Sequence, residues 1–281
     1  MRDVPIANQA FYKRALVQHF DARANYGQGT PQSPLVDRLL EIYPPSIGDR
    51  VLDVATGTGF VAFLVARLVG PSGEVIATDI SPGMLERAQE AAARNVVQAN
   101  LSFICADAEH LPQGLGTFDR IYCANALPYL TDIPRTLRQW RMLLKSGGQL
   151  AFNCWRAPSY ATGRLLREVA GKYGINVAEV GTATGTPEAC RALLNSAGYG
   201  DIEIAVESTH RYIRTEHLED FIDMAIHNPI YDTHSKDMPK LQALLDHYLE
   251  TLYSCESKED LAAEKGAYFV SAKNNGSQQC L

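Results

Sequence analysis

Val51-Leu52-Asp53-Val54-Ala55-Thr56-Gly57-Thr58-Gly59 carries the clearest chemical signal in this 281-residue chain. An apolar run enters a Gly-x-Gly turn, and a second apolar segment opens at Phe60. Glycines there let a backbone approach a ligand closely, and a helix starting behind them offers unpaired amide groups. Gly57-x-Gly59-x-x-Ala62 also fits a dinucleotide fingerprint, with Asp79 farther along the chain. Three carboxylates sharpen the choice of ligand. Asp53 precedes the glycines, where it would repel a pyrophosphate but suit a ligand carrying an ammonium and ribose hydroxyls. Asp79 closes Glu74-Val75-Ile76-Ala77-Thr78 and can accept two hydrogen bonds from ribose hydroxyls. Asp107, in Cys105-Ala106-Asp107-Ala108, can accept one from an exocyclic amine.

These residues need strands to carry them and helices to cover the strands. The spacing predicts strands over Val51–Ala55, Glu74–Thr78, Leu101–Cys105, Arg120–Ala124 and Leu150–Trp155. Helices are expected over 60–69, behind the Ser81-Pro82 cap, and over Ile133–Leu144 with Gly147 as the stop. Strand and helix alternating in this way means an α/β fold, with a doubly wound, mostly parallel sheet and helices on both faces. The three aspartates then fall at the carboxyl ends of consecutive strands, where open α/β sheets bind ligands. Farther on, Thr186-Pro187 caps a helix ending at Gly198, Ile202–Ile213 reads as a long strand, and Ala267–Lys273 as the last. Helical patterns over 8–43, broken by a polar hinge at 24–31, and over 215–263 interrupt the alternation. The expected organisation is an N-terminal helical lid (1–45), a core (46–214 and 264–274) and a helical cap insertion (215–263).

Composition excludes some partners. Lys and Arg number 26 against 32 Asp and Glu, a formal net charge of −6. An acidic balance argues against nucleic acid, whose phosphates need a basic face. Apolar residues make up 46% and charged residues 21%, enough for a packed core. No apolar run approaches the length of a membrane-spanning helix, and the N-terminus lacks a secretory pattern. Six cysteines without a CxxC pair read as reduced thiols, so a cytoplasmic location is expected. No His/Cys/Asp cluster has metal-ligand spacing, so no metal is expected.

Taken in order, Val51–Gly59, Val75–Met84, Cys105–Pro112, Phe118–Leu130 and Leu144–Phe152 resemble a class I S-adenosylmethionine-dependent methyltransferase of the ubiquinone/menaquinone-biosynthesis-like branch. The resemblance covers about residues 48–155. It implies a Rossmann-like, seven-stranded sheet and S-adenosylmethionine as cofactor, with S-adenosylhomocysteine as product. It also implies site roles. Gly57 and Gly59 would pass against the methionine part, with Asp53 holding its amino group. Asp79 would bind the ribose, flanked by Ile80 at the adenine. Asp107 would meet the adenine amine, with Ala108 against the ring. Asn125 and Ala126 would border the sulfonium. Met84 would touch the adenine or belong to the core. Gln18–Tyr26 resembles a lid element of this branch, with Tyr26 closing over the cofactor.

Methyl transfer from a sulfonium is an in-line displacement in which positioning supplies much of the acceleration. A base is needed only if the acceptor must lose a proton. Tyr129, His210 and His227 are the candidates for that task, and the cap's aromatic and histidine content favours a small, partly apolar organic substrate. Two other chemistries stay open at this level. The same fold and cofactor could serve a non-methylating reaction such as a cyclisation, and the glycine fingerprint could serve a nicotinamide-dependent oxidoreductase.

Overall fold

A computed structural model describes residues 6–23, 34–94, 100–155, 161–174, 183–210 and 264–276, with scattered positions between 239 and 251. The elements in chain order are α1 (Ile6–Asp21), α2 (Pro34–Ile42), β1 (Arg50–Val54), α3 (Phe60–Val69), β2 (Glu74–Asp79), α4 (Pro82–Arg94), β3 (Leu101–Cys105), β4 (Phe118–Ala124), α5 (Ile133–Leu143), β5 (Leu144–Trp155), α6 (Ala161–Lys172), α7 (Pro187–Ser196), β6 (Gly200–His210) and β7 (Glu264–Lys273). The seven strands form one sheet in the order β3-β2-β1-β4-β5-β7-β6. The first five are parallel, while β7 runs antiparallel to both β5 and β6. The expected α/β fold with a mostly parallel, seven-stranded sheet is therefore present.

The apolar runs are strands buried on both sides, because consecutive residues point to opposite faces. On one face Leu52, Ile121, Phe152 and Val270 pack with Leu137 and Trp140 of α5 and Cys190 and Leu194 of α7. On the other, Val51, Tyr122, Ala151 and Phe269 pack with Leu39 of α2 and Ala62, Val65 and Ala66 of α3. Small residues on α3 let that helix sit close to the sheet.

Local signals act as expected at three helix starts. Ser81 Oγ accepts from the Met84 amide at 3.1 Å. Asp132 accepts from the Arg135 amide, and Thr186 from the Ala189 amide. Each satisfies a donor that the first helical turn leaves unpaired.

Gly147 does not stop a helix. α5 ends at Leu143, and Leu144 is already extended (φ −85°, ψ 136°). β5 therefore begins six residues earlier than the expected Leu150, and its pairing with β4 slips between Phe118 and Arg120. Gly147 (φ +77°) sits within that irregularity, where its amide donates to the Asn274 carbonyl at 2.7 Å. The glycine serves a strand irregularity, which no helical periodicity reveals. His227, Tyr26 and most of the expected cap lie outside the described residues.

Candidate functional site

The carboxyl ends of β1, β2, β3 and β4 meet along one edge of the sheet. Asp53, Asp79 and Asp107 lie there, as the sequence predicts. β1 runs into a turn whose backbone is left-handed at three positions: Ala55 (φ +55°), Gly57 (φ +57°) and Gly59 (φ +91°). Ala55 and Asn125 are two of the three described non-glycine residues with positive φ, the other being Asp201. Each such conformation costs on the order of 1 kcal/mol, and strain of this kind gathers at functional sites. The Gly59 amide donates back to the Thr56 carbonyl at 3.0 Å, which closes the turn and opens α3 beyond it.

Asp53 is almost fully buried, and only one of its oxygens is used. Oδ2 accepts from the Thr56 hydroxyl at 2.5 Å. Among the described residues, Oδ1 and the Thr58 hydroxyl, both buried, have no hydrogen-bond partner. Burial pushes the Asp53 carboxyl up to about 7, opposed by the Thr56 hydrogen bond and aided by the charge of Asp79. A buried carboxylate with an open lone pair is costly alone and favourable beside a cation. An ammonium from a ligand satisfies it.

Asp79 organises the same turn. Oδ2 accepts from the Gly57 amide at 2.8 Å and Oδ1 from the Ser81 amide at 2.9 Å. Burial raises this carboxyl, and the amides of Ser81 and Gly57 oppose the shift. Each oxygen keeps a further lone pair, so the carboxylate can hold the turn and still accept from hydroxyls. Ile80 follows it, half-buried, and Met84 is buried on α4.

At the third strand end Asp107 Oδ1 accepts from Lys13 Nζ of α1 at 3.0 Å and from the Glu109 amide at 3.0 Å. Burial opposes ionisation of Asp107, but Lys13, the Glu109 amide and His110 together outweigh it and hold the carboxyl below its ordinary value. Trp140 Nε1 donates to the Ala108 carbonyl at 2.9 Å, so α5 fixes the backbone beside Asp107.

At the β4 end, Asn153 of β5 makes two bonds to one residue. Its Oδ1 accepts from the Asn125 amide at 3.0 Å, and its Nδ2 donates to Asn125 Oδ1 at 2.6 Å. Asn153 is fully buried, so it holds Asn125 in its left-handed conformation, with Ala126 behind it. Replacing Asn153 with Leu strands both groups. We expect a loss of about 2 kcal/mol in urea unfolding; an unchanged midpoint would deny the pairing its role.

α1 lies over this edge. Asp21 Oδ1 accepts from the Ser81 hydroxyl at 2.6 Å and from the Gly83 amide at 2.9 Å, at the start of α4. The Tyr12 hydroxyl donates to the Tyr129 carbonyl at 3.2 Å, and the Phe20 ring meets Tyr129 edge-on at 5.4 Å. Tyr129 therefore sits between the β4 end and α1. His210 ends β6 opposite Glu264, with β7 and β5 between it and β4. Three strand spacings of about 4.8 Å set its backbone about 14 Å to the side of β4, and the strand registers place it farther along the sheet than Asn125.

Lys13, Asp21, Glu109, Trp140 and Asn153 carry no local sequence signal for a site. Their partners lie 22 to 94 residues away along the chain, too far for any local pattern to report. Among the described residues, no group of three His, Cys, Asp or Glu could hold a metal, and no helix is long and apolar enough to cross a membrane.

Comparison with known proteins bears on the same part of the chain. Residues 51–148 match the family described as "Methyltransferase domain". The chain is 40% identical over 112 residues to the ubiquinone/menaquinone biosynthesis C-methyltransferase UbiE of Pseudomonas paraeruginosa, a match covering 40% of this chain and 44% of that protein. The chain thus spans less than half the length of the curated relatives it matches. Among solved structures, the YcgJ protein of Bacillus subtilis superposes with a TM-score of 0.60 at 16% identity, covering 87% of this chain and 99% of that one. Phosphoethanolamine N-methyltransferase 2 of Haemonchus contortus, solved with phosphomonomethylethanolamine and S-adenosylhomocysteine, gives 0.58 at 16% identity, over 93% and 59%. These two likenesses establish the fold.

Proposed function

We propose, from the match of residues 51–148 to the methyltransferase-domain family, that the chain transfers a methyl group from S-adenosylmethionine to a small, partly apolar organic molecule. The observation that carries this reading is the open oxygen of buried Asp53 beside the Gly57–Gly59 turn. That oxygen fits an ammonium. Asp79 fits ribose hydroxyls, Asp107 an exocyclic amine, and Ala108, Ile80 and Met84 the flanks of a purine. The left-handed turn lets backbone pass close to the methionine part, and Asn125 and Ala126 border the same edge. Bound there, S-adenosylmethionine supplies an activated methyl on a sulfonium.

The chain's own contribution is positioning. Near-attack placement of two reactants, about 3–3.5 Å apart, accounts for much of the acceleration of such a displacement. Strand ends fixed by Asn153, Trp140 and Asp79 provide the rigid side of that placement. Tyr129, between β4 and α1, is the described candidate for contact with the acceptor or for taking its proton. Residues 1–45 serve as a lid and 215–263 as a cap over the acceptor, with His210 and His227 as further candidates there.

S-adenosylhomocysteine release from a labelled methyl donor, followed across phenolic, amine and carbon acceptors, tests the reading. Stoichiometric release with methylated product supports it. Product formation without S-adenosylhomocysteine would favour the cyclisation reading instead. Removing residues 1–23 should weaken S-adenosylhomocysteine binding by about tenfold or more in calorimetry, with the core still folded; unchanged affinity would remove the lid.

A further inference from the structure

We infer that Lys13 of α1 is a positioning residue that makes Asp107 select a 6-aminopurine, so that the lid helix sets the cofactor's base specificity. This inference rests on the cofactor reading above. Lys13 Nζ bridges two carboxylates, at 3.0 Å from Asp107 Oδ1 and in close contact with Glu109 Oε2. All three side chains are largely shielded from water, with exposures of 17%, 21% and 5% for Lys13, Asp107 and Glu109. Burial alone would push both carboxylates toward the neutral form. Lys13, with the Glu109 amide and His110 at Asp107 and the Thr131 and Asp132 amides at Glu109, holds both below the ordinary carboxylate range against burial. Asp107 therefore accepts and never donates.

Oδ1 of Asp107 is already used by Lys13 and the Glu109 amide. Among the described residues, Oδ2 has only His110 Nδ1 at 3.5 Å, too long for a firm bond. One ionised oxygen is thus left with capacity. It suits the amino group of adenine and opposes the carbonyl of a 6-oxopurine, which would place acceptor against acceptor. Glu109 ties the node to the loop before α5, accepting from the Thr131 amide at 3.0 Å and the Asp132 amide at 2.7 Å. Lys13 lies outside the matched segment 51–148, so the domain alone lacks this control.

The test compares affinities of S-adenosylhomocysteine and S-inosylhomocysteine for the full chain by calorimetry. The wild type should prefer the adenosyl ligand by at least about tenfold, since a site built to pair a group rejects the analogue lacking it. Lys13→Met should bring the two affinities within about threefold of each other; Lys13→Gln gives the same fall if the apolar variant fails to fold. Lys13→Arg, which keeps a cation between the two carboxylates, should keep the ratio near the wild-type value. A ratio unchanged in Lys13→Met, or reduced as far in Lys13→Arg, overturns the inference. A wild type that binds neither ligand overturns the cofactor reading instead.

Discussion

Asp53→Asn should make the ligand-free protein more stable at pH 8 while weakening its hold on S-adenosylhomocysteine. In the folded chain burial pushes the Asp53 carboxyl up to about 7, against about 3.9 when unfolded. Between those values the folded state binds more protons, so Asp53 erodes stability as pH rises from about 4 to 7. The full cost is on the order of 4 kcal/mol above pH 7, at about 1.4 kcal/mol per pH unit. Asparagine keeps an oxygen for the Thr56 hydroxyl and leaves an amide group unpaired, which costs about 1–3 kcal/mol. Burying the charge costs more than burying the amide, so the variant should gain about 1–3 kcal/mol at pH 8. At pH 5 the carboxyl is already neutral and the gain should vanish. Ligand affinity should move the other way. A charge-assisted bond to an ammonium contributes about 1.5–3 kcal/mol, so the loss should be about 10- to 100-fold. Wild-type affinity should rise as pH passes through 7, and the variant's should stay flat. Urea unfolding at both pH values, with calorimetry alongside, separates the two effects. A variant less stable at pH 8 would mean that Oδ1 is satisfied in the free protein.

Gly59→Val should cost about 2–3 kcal/mol and abolish ligand binding. Two causes act together. A Cβ at Gly59 would lie 2.7 Å from Phe63 Cζ, and the residue holds φ +91°. The ring edge of Phe63 can swing away, since that side chain is only half-buried. The backbone cannot relax, because the Gly59 amide closes the turn onto Thr56 and its carbonyl receives the Phe63 amide at 2.9 Å. Strain should therefore outweigh the clash. Adding Phe63→Ala to Gly59→Val should return less than about 1 kcal/mol in urea unfolding. Full recovery would assign the cost to the ring instead.

What could be read from the chain follows a physical division. β1 to β3 and α3 to α4 are legible because their apolar runs, glycines and caps act within a few residues. Asp53, Asp79 and Asp107 are legible as residues at strand ends, which the parallel sheet brings to one edge. The partners that make them work are not. Asn153 reads as one polar residue in an apolar strand, and only the pairing of β4 with β5 sets it against Asn125. Lys13 and Asp21 read as the polar face of an amphipathic helix until α1 docks over the strand ends. The early start of β5 is hidden for a related reason. Lys145-Ser146-Gly147-Gly148 has the composition of a turn, yet it runs as irregular strand because β4 pairs with Leu144 and Gln149 on either side of it and Asn274 hydrogen-bonds to Gly147 and Gly148.

Whether the β1–β4 edge holds S-adenosylmethionine is decided by titrating S-adenosylhomocysteine and NAD into the full-length wild-type chain. We expect one site for S-adenosylhomocysteine with a Kd below about 100 μM, and NAD at least about tenfold weaker. No binding of S-adenosylhomocysteine, or tighter binding of NAD, would contradict the cofactor reading.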